Sequence, residues 1–297
     1  MMDRSRRNFI ASSLLVGGAF LLPDEIAAMS LRKPRYQVAV IDLMILKRQK
    51  ISAFDLAHEI GADGLEVDMG GLGDRDTFDS KLADPIARKA FLDKSKATGI
   101  KICSLAMTGF YAQSFATRPT YQRMVGDCLD TCRQMGVKVA FLPLGIQGDL
   151  VQHPELRPAI VERLRVVGKM AKKAGVVVGI ETALDARGEV ELLQEIGSKN
   201  IQIYFNFSNP LKQGRDLIQE LIILGKDRIC QIHCTDEDGV WLENNKRLDM
   251  HLVKKTLDDM GWRGWLVIER SRDANLSPRA VKENFGANTR FVKKVFQ

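Results

Sequence analysis

The sequence predicts a single (β/α)8 barrel, the α/β fold also called a TIM barrel, and three observations lead to this fold class. The chain has 297 residues, 45% of them hydrophobic and 27% charged, which is ordinary for one large globular domain. A unit of helix, glycine and short apolar run recurs along it. Eight apolar runs follow one another at spacings of about 30 residues, and eight strand–helix units are what this barrel requires.

The recurring glycine is the clearest element of the repeat. Seven times, an amphipathic helical stretch ends at a glycine, the residue that adopts a left-handed backbone without strain. The apolar run that follows is rich in Val and Ile and alternates little, which indicates a parallel strand covered on both faces. The seven repeat glycines are Gly61, Gly99, Gly136, Gly175, Gly197, Gly225 and Gly261.

The strands and helices follow in order from this repeat. Strands are predicted near residues 36–43, 64–68, 100–107, 138–145, 176–182, 201–206, 229–235 and 265–270. Predicted helices between them include 52–60, 120–135, 155–174 and 248–260, and 277–295 closes the chain. The alternative is a doubly wound open sheet, which usually carries a glycine-rich phosphate loop. The sequence has neither G-x-G-x-x-G nor G-x-x-x-x-G-K-S/T, so the barrel is favoured.

The first thirty residues differ from the rest of the chain. The run S-R-R-N-F-I at 5–10 resembles the twin-arginine export signal, and an apolar run at 11–22 and small residues at 27–28 follow it. This order is typical of a cleavable signal peptide, and the apolar run is shorter than the roughly 20 residues that span a bilayer. We therefore predict a signal peptide at 1–30, a barrel at 31–297, a periplasmic location and no stable membrane span.

The charge distribution bears on the binding partners, and the cysteine content bears on disulfide bonds. The net charge of +7 is spread along the sequence with no basic strip interleaved with aromatic residues, so nucleic acid is not a predicted partner. The five cysteines form no C-x-x-C pair and are odd in number, which favours buried small hydrophobic residues over disulfides. The sequence is compatible with a monomer and with a homo-oligomer.

Polar residues end four successive predicted strands, at the edge where this fold carries its active sites. They are Glu181, Asn206, His233 and Glu269 on strands five to eight. A lone glutamate or histidine here is usually a structural partner, so the prediction rests on the run of four. Buried carboxylates are costly unless paired or metal-bound, and oxygen donors with one imidazole suit Mn²⁺, Co²⁺, Zn²⁺ or Mg²⁺. A divalent metal is therefore the predicted cofactor.

Four short motifs around these residues resemble those of the xylose isomerase-like superfamily, the sugar phosphate isomerase/epimerase family. They are I-E-T at 180–182, N-F-S-N at 206–209, I-H-x-x-D at 232–236 and W-L-V-I-E-R at 265–270. The resemblance covers residues 36–297. One position departs from it, because Asn206 stands where the family usually has aspartate. The ligand set then carries a charge of −2 instead of −3 and would hold the metal less tightly.

The resemblance implies a role for each residue. The implied metal ligands are Glu181, Asn206, His233 and Glu269, and the two glutamates also transfer protons. The residues predicted to bind substrate are Glu66 at the end of strand two, Asn209, Asp236 and Arg270. Three aromatic residues near the loops are candidates for stacking on a sugar ring, namely Phe110, Tyr111 and Trp241. Arg272 is a second candidate for orienting substrate oxygens.

The predicted function is that of a metal-dependent sugar isomerase or epimerase. The metal would polarise a carbonyl while a carboxylate removes the neighbouring proton, which produces an enediolate. The predicted substrate is a free or oxidised (keto) sugar, because an exported protein does not meet cytoplasmic sugar phosphates. The same ligands also serve a keto-glycoside lyase or hydratase, and a non-catalytic periplasmic sugar-binding barrel is the remaining alternative.

Overall fold

Eight strands form one closed, wholly parallel barrel in the order β1 to β8, so the predicted fold class is confirmed. The structure is a computed structural model that describes residues 35–297, and the predicted signal peptide lies outside the described residues. The strands are β1 (Tyr36–Ile41), β2 (Gly64–Asp68), β3 (Lys101–Ala106), β4 (Val139–Pro143), β5 (Val177–Glu181), β6 (Ile201–Asn206), β7 (Ile229–His233) and β8 (Gly264–Ile268). Pairing of β1 with β8 closes the barrel.

Helices cover the outside of the barrel between successive strands. Those described are α1 (Ser52–Glu59), α2 (Pro85–Thr98), α3 (Tyr121–Met135), α4 (Arg157–Ala174), α5 (Ala186–Ile196), the short α6 (Ser208–Lys212), α7 (Leu217–Leu224), α8 (Met250–Met260) and α9 (Val281–Phe296). The last helix begins later than predicted, because residues 277–280 form a turn in which Ala280 N donates to Ser277 O. No helix in residues 35–297 is long and apolar enough to cross a membrane.

The repeat glycines end the helices as the sequence predicts. All seven have a positive φ, between 67° and 83°, a region that favours glycine. Aspartate side chains begin four of the helices, where each accepts a hydrogen bond from a backbone N–H of the first turn. These local signals fix the length of each helix, and so fix where each following strand starts and ends.

The apolar core has two layers. The larger lies between the strands and the helices, and a smaller one fills the barrel itself. Gly179 on β5 shows how tightly the interior is packed, because a Cβ there would lie 2.5 Å from the Cys230 sulfur. All five cysteines are free, and four of them are buried, which confirms the prediction that most serve as small hydrophobic residues. The interior layer ends at the carboxyl edge of the strands, where the polar residues begin.

Candidate active site

A cavity of about 470 Å³ opens at the carboxyl ends of the strands. Its lining divides between the two halves of the barrel. Strands β1 to β4 and the segments that follow them contribute mostly apolar side chains, including Ile41, Leu43, Met44, Leu72, Tyr111, Phe141 and Ile146. The segments that follow β5 to β8 contribute mostly polar ones, including Glu181, Thr182, Asn206, Asn209, His233, Glu269 and Arg270. We call these the apolar half and the polar half of the mouth.

The strand ends bring the four predicted ligands to the same level of the barrel. Glu181, Asn206 and His233 are the last residues of β5, β6 and β7, and Glu269 directly follows β8. Asn206 is paired in register with His233. In parallel strands such pairing places side chains side by side, and all four residues line the cavity.

His233 is held between two carboxylates. Its Nδ1 lies 3.1 Å from Oε2 of Glu181, and its Nε2 lies 3.4 Å from Oε1 of Glu66. Its ring packs against Phe141 and Tyr204, and it is only 1% exposed. Burial alone lowers the pKa of His233, but the hydrogen bonds with Glu181 and Glu66 outweigh it and raise that pKa well above its usual value. Without a bound cation, the two carboxylates therefore favour the protonated form of His233.

Glu66 lies beneath His233 at the floor of the cavity and is fully buried. Its Oε2 accepts hydrogen bonds of 2.7 Å from Ser104 Oγ and from Tyr204 Oη. Strand pairing is irregular beside both partners: it skips Cys103 between Leu65 and Glu66, and Cys230 between Ile203 and Tyr204. Such irregularities re-aim side chains. The predicted contact of Glu66 with substrate stays a prediction. In the structure, the Glu66 carboxylate contacts Nε2 of His233 and so helps to fix the position of that ring.

Asn206 and Glu269 form a second hydrogen-bonded pair. Asn206 Nδ2 donates to Oε2 of Glu269 at 3.0 Å, while its Oδ1 accepts from Ser208 N at 3.0 Å and from Ser208 Oγ at 2.8 Å. Asn206 is only 4% exposed. Burial raises the pKa of Glu269, and the His233 charge opposes that rise. Glu181 and Glu269 are thus each oriented by a partner of their own.

Tyr111 is the residue of the apolar half that contacts a carboxylate of the polar half. It follows β3, lines the cavity, and its hydroxyl lies 3.5 Å from Oε1 of Glu181. Burial raises the pKa of Tyr111, and the charges of Glu181 and Glu269 raise it further. The sequence predicts only a stacking role for Tyr111, because nothing in its pattern shows that the segment after β3 approaches Glu181.

The other two aromatic candidates lie elsewhere. Phe110 is fully buried between Phe78 and Phe115, so of its two possible roles it has core packing and not stacking on a sugar. Trp241 donates from its indole nitrogen to Oδ1 of Asn284 on α9 and is not part of the described cavity lining. Aromatic character alone therefore does not distinguish side chains that pack in the core from side chains that line the cavity.

Besides Glu66, two of the predicted substrate-binding residues line the cavity. Asn209 donates to Thr182 O at 2.8 Å, and Arg270 extends an exposed side chain. Asp236 is not in the described cavity lining: its carboxylate accepts hydrogen bonds from Arg247 and Asn245 and so orders the segment after β7. Arg272, predicted beside Arg270, instead pairs with Asp238 at 2.6 Å.

Whether the mouth suits a divalent cation depends on its donor atoms. Glu181 Oε2 and His233 Nδ1, 3.1 Å apart, are spaced like two neighbouring ligands with bonds of about 2.0–2.2 Å, and Glu269 adds a carboxylate. Asn206 instead presents its nitrogen to Glu269. Within residues 35–297, no three His, Cys, Asp or Glu side chains form a group that could already hold a metal ion. Glu181, His233 and Glu269 therefore have suitable donor atoms. The four predicted ligands lie in two hydrogen-bonded pairs, His233 with Glu181 and Asn206 with Glu269.

Comparison with known proteins relates the chain to one family of barrels. The model of the family described as "Xylose isomerase-like TIM barrel" matches residues 54–294. A relative, the 2-epi-5-epi-valiolone 7-phosphate 2-epimerase of an Actinoplanes species, is 24% identical over 169 residues. That alignment covers 56% of this chain and 60% of the relative, so it spans less than two thirds of that protein.

Solved structures share the fold. A D-psicose 3-epimerase from Clostridium cellulolyticum superposes with a TM-score of 0.69 at 13% identity, covering 88% of this chain and 99% of the other. A 3-keto-D-glucoside 4-epimerase from E. coli gives 0.67 at 17% identity, covering 88% and 100%. A xylose isomerase domain protein from Planctomyces limnophilus gives 0.66 at 16% identity, covering 89% and 98%.

Proposed function

Because the chain belongs to the xylose isomerase-like TIM barrel family, we propose that it is a sugar isomerase or epimerase that moves a proton at a carbon next to a carbonyl. The observation that carries this proposal is the pair Glu181 and Glu269 in the polar half of the mouth, each oriented by its own hydrogen-bond partner. The relative and two of the solved structures are named as epimerases, of 2-epi-5-epi-valiolone 7-phosphate, D-psicose and a 3-keto-D-glucoside. Two positioned carboxylates are what such a reaction requires.

Each residue of the polar half has a part in this reaction. One glutamate removes the proton, and the other delivers a proton to the opposite face of the same carbon or to the neighbouring carbon. The first outcome is epimerisation and the second is isomerisation. His233 keeps the Glu181 carboxylate in place, and Asn206 does the same for Glu269. Arg270 offers its guanidinium to substrate oxygens at the rim, where negative charge is stabilised by a fixed cation.

We further propose that the enzyme uses Mn²⁺, Co²⁺, Zn²⁺ or Mg²⁺, held by Glu181, His233 and Glu269. A bound divalent cation supplies Lewis-acid polarisation of the substrate carbonyl and its neighbouring hydroxyl. The proposal is supported by the donor types on the three strand ends and not by a preformed cluster of ligands.

The proposed substrate is a free or oxidised (keto) sugar in the periplasm. The location rests on the sequence at 5–10, which resembles a twin-arginine signal. The cations near the mouth agree with an uncharged ligand, because Lys212 is already paired with Glu237 at 2.9 Å. Arg270 remains available for hydrogen bonds to hydroxyl or carbonyl oxygens.

The test is solvent proton exchange. The protein is incubated in D2O with D-fructose, D-psicose, D-tagatose and a 3-keto-glucoside, with EDTA and with each of the four metals, and loss of the α-proton signal is followed by NMR. We expect exchange with at least one sugar, and a fall of about 10²–10⁴-fold in Glu181→Gln and Glu269→Gln. The control is Glu195→Gln, an exposed carboxylate on α5 that pairs with Arg157.

The outcomes separate the alternatives. Exchange followed by an inverted carbon or a moved carbonyl supports an epimerase or isomerase. Exchange with loss of a β-substituent would replace the proposal with a lyase. If no sugar exchanges under any metal condition, the proposed reaction is wrong and a sugar-binding barrel without turnover takes its place.

A further inference from the structure

The hydrogen bonds of Asn206 give this side chain a different role from that of a metal ligand. We infer that Asn206 is a positioning residue that holds Glu269 by donating a hydrogen bond to it, so that this pair is complete without a cation. The amide would then do for Glu269 what a metal ion does for a carboxylate in a site with an aspartate here. The inference concerns an Asn that departs from the usual residue of this family.

The first argument is that the amide has a fixed direction. Its oxygen accepts two hydrogen bonds from Ser208, one from the backbone N–H and one from the hydroxyl. Those bonds use both lone pairs of the oxygen. Turning the amide to aim its oxygen at a cation would break them, break the bond with Glu269, and place the NH2 group against the Ser208 N–H. Because Asn206 is only 4% exposed, water could not replace the lost bonds.

The second argument is electrostatic. The Asn206 nitrogen and Oε2 of Glu269 are 3.0 Å apart. With an aspartate at 206, two carboxylate oxygens would face each other at about that separation, and like charges in a buried site require a cation or a proton between them. The amide removes one charge and supplies a donor. Asn206 and a bound cation are therefore two alternative ways to stabilise the same carboxylate.

This inference rests on the proposed function only for the role of Glu269. The inference is tested by thermal stability and bound metal, whereas the proposed reaction is tested by proton exchange. Either one can therefore fail while the other stands.

The experiment compares wild type with Asn206→Asp and with a matched control, Asn209→Asp. Asn209 lines the same mouth, but its amide donates to the carbonyl of Thr182 and not to a carboxylate. Thermal midpoints are measured in EDTA and in excess MnCl2, and bound manganese is counted after gel filtration. We expect Asn206→Asp to melt roughly 5 °C below wild type in EDTA, because a buried charged hydrogen bond is lost. Manganese should raise its midpoint more than that of wild type, and should bind it more tightly.

The control and a rescue variant complete the design. Asn209→Asp should show the same manganese-induced shift as wild type, because the hydrogen bond of Asn209 goes to a backbone carbonyl and not to a carboxylate. The double variant Asn206→Asp with Glu269→Gln exchanges donor and acceptor, so its midpoint in EDTA should return toward wild type and its extra response to manganese should disappear. If Asn206→Asp does not fold, the double variant and wild type still decide the matter. A manganese-induced shift in wild type as large as in Asn206→Asp, or no recovery in the double variant, would overturn the inference.

Discussion

The two halves of the mouth use similar strand-end carboxylates in different ways. In the polar half, Glu181 and Glu269 face the cavity and are bound by the side chains of His233 and Asn206. In the apolar half, Asp68 accepts bonds from Gly70 N and Thr108 Oγ1 of nearby segments.

Asp42, at the end of β1, behaves as Asp68 does. It is fully buried and accepts hydrogen bonds from the backbone of Gln49 and Asp68. Asp42 and Asp68 thus have their hydrogen bonds satisfied by neighbouring segments, whereas Glu181 and Glu269 face the cavity. The polar half therefore carries the proposed chemistry, and the apolar half shapes the cavity and secures its own loops.

The largest difference between the halves should appear on removing His233. In His233→Ala the carboxylates of Glu66 and Glu181 lose their shared cation, and breaking a buried ion pair from one side costs about 3–5 kcal/mol. Urea unfolding measures the loss. The control is His153→Ala, whose exposed pairing with Glu155 should contribute no more than about 1 kcal/mol. Equal losses in the two variants would mean that His233 does not balance the carboxylates.

In the apolar half, the buried carboxyl group of Asp42 should make the free energy of unfolding depend on pH. Burial raises the pKa of Asp42 to about 8, against its backbone hydrogen bonds. Between its usual value and 8 the folded state holds a proton that the unfolded state has lost, so the free energy of unfolding falls as pH rises. One group contributes at most about 1.4 kcal/mol per pH unit.

Asp42→Asn should therefore flatten the dependence of stability on pH between 5 and 8, as measured by urea unfolding at several pH values. Asp55→Asn, which removes an exposed carboxylate paired with Lys94, should leave the slope unchanged. A slope as steep in Asp42→Asn as in wild type would assign it to other groups.

Phe141 tests whether the apolar half supports the chemistry of the polar half. It is 1% exposed and packs on the rings of His233 and Tyr204. Phe141→Leu should cost about 1–2 kcal/mol and should also lower turnover, because His233 loses its packing. Phe91→Leu, in the outer layer against Phe54, should cost a similar amount without changing turnover. If the two variants lose equal turnover, the effect is one of stability alone.

The smallest effect is expected at Tyr111, where the two halves meet. Tyr111→Phe removes one weak hydrogen bond to Glu181, so turnover should fall about threefold to tenfold while stability changes little. Tyr121→Phe is the matched control, because that ring packs on Phe115 and Arg163 outside the mouth. Unchanged turnover in Tyr111→Phe would confine the influence of the apolar half to cavity shape.

The fold and the location of the mouth could be predicted because their signals are local. A glycine with a positive φ and an uninterrupted Val/Ile run each act over a few residues, and the pair recurs seven times along the chain. The convergence of Glu181, Asn206, His233 and Glu269 then followed from the parallel order of the strands.

The pairing of these side chains could not be predicted in the same way. The direction of the Asn206 amide is set by Ser208, two residues on, and the second partner of His233 is Glu66, 167 residues away. Likewise, Asp236 and Phe110 have the right residue type near the right strand ends. Only the fold of the segments around them shows that Arg247 binds the first and that Phe78 and Phe115 enclose the second.

The buried position of Glu66 has a consequence for how the barrel assembles. Its carboxylate on β2 binds Ser104 on β3, Tyr204 on β6 and His233 on β7, so one charge ties strands from opposite sides of the barrel. Shifting any of these strands by one residue would turn the partner's side chain to the other face and leave a charge buried without a partner. Closed barrels with an incorrect strand alignment would therefore be several kcal/mol less stable than the native one. During folding, the Glu66 carboxylate would have all its hydrogen-bond partners only when strands distant in sequence have paired in the correct alignment.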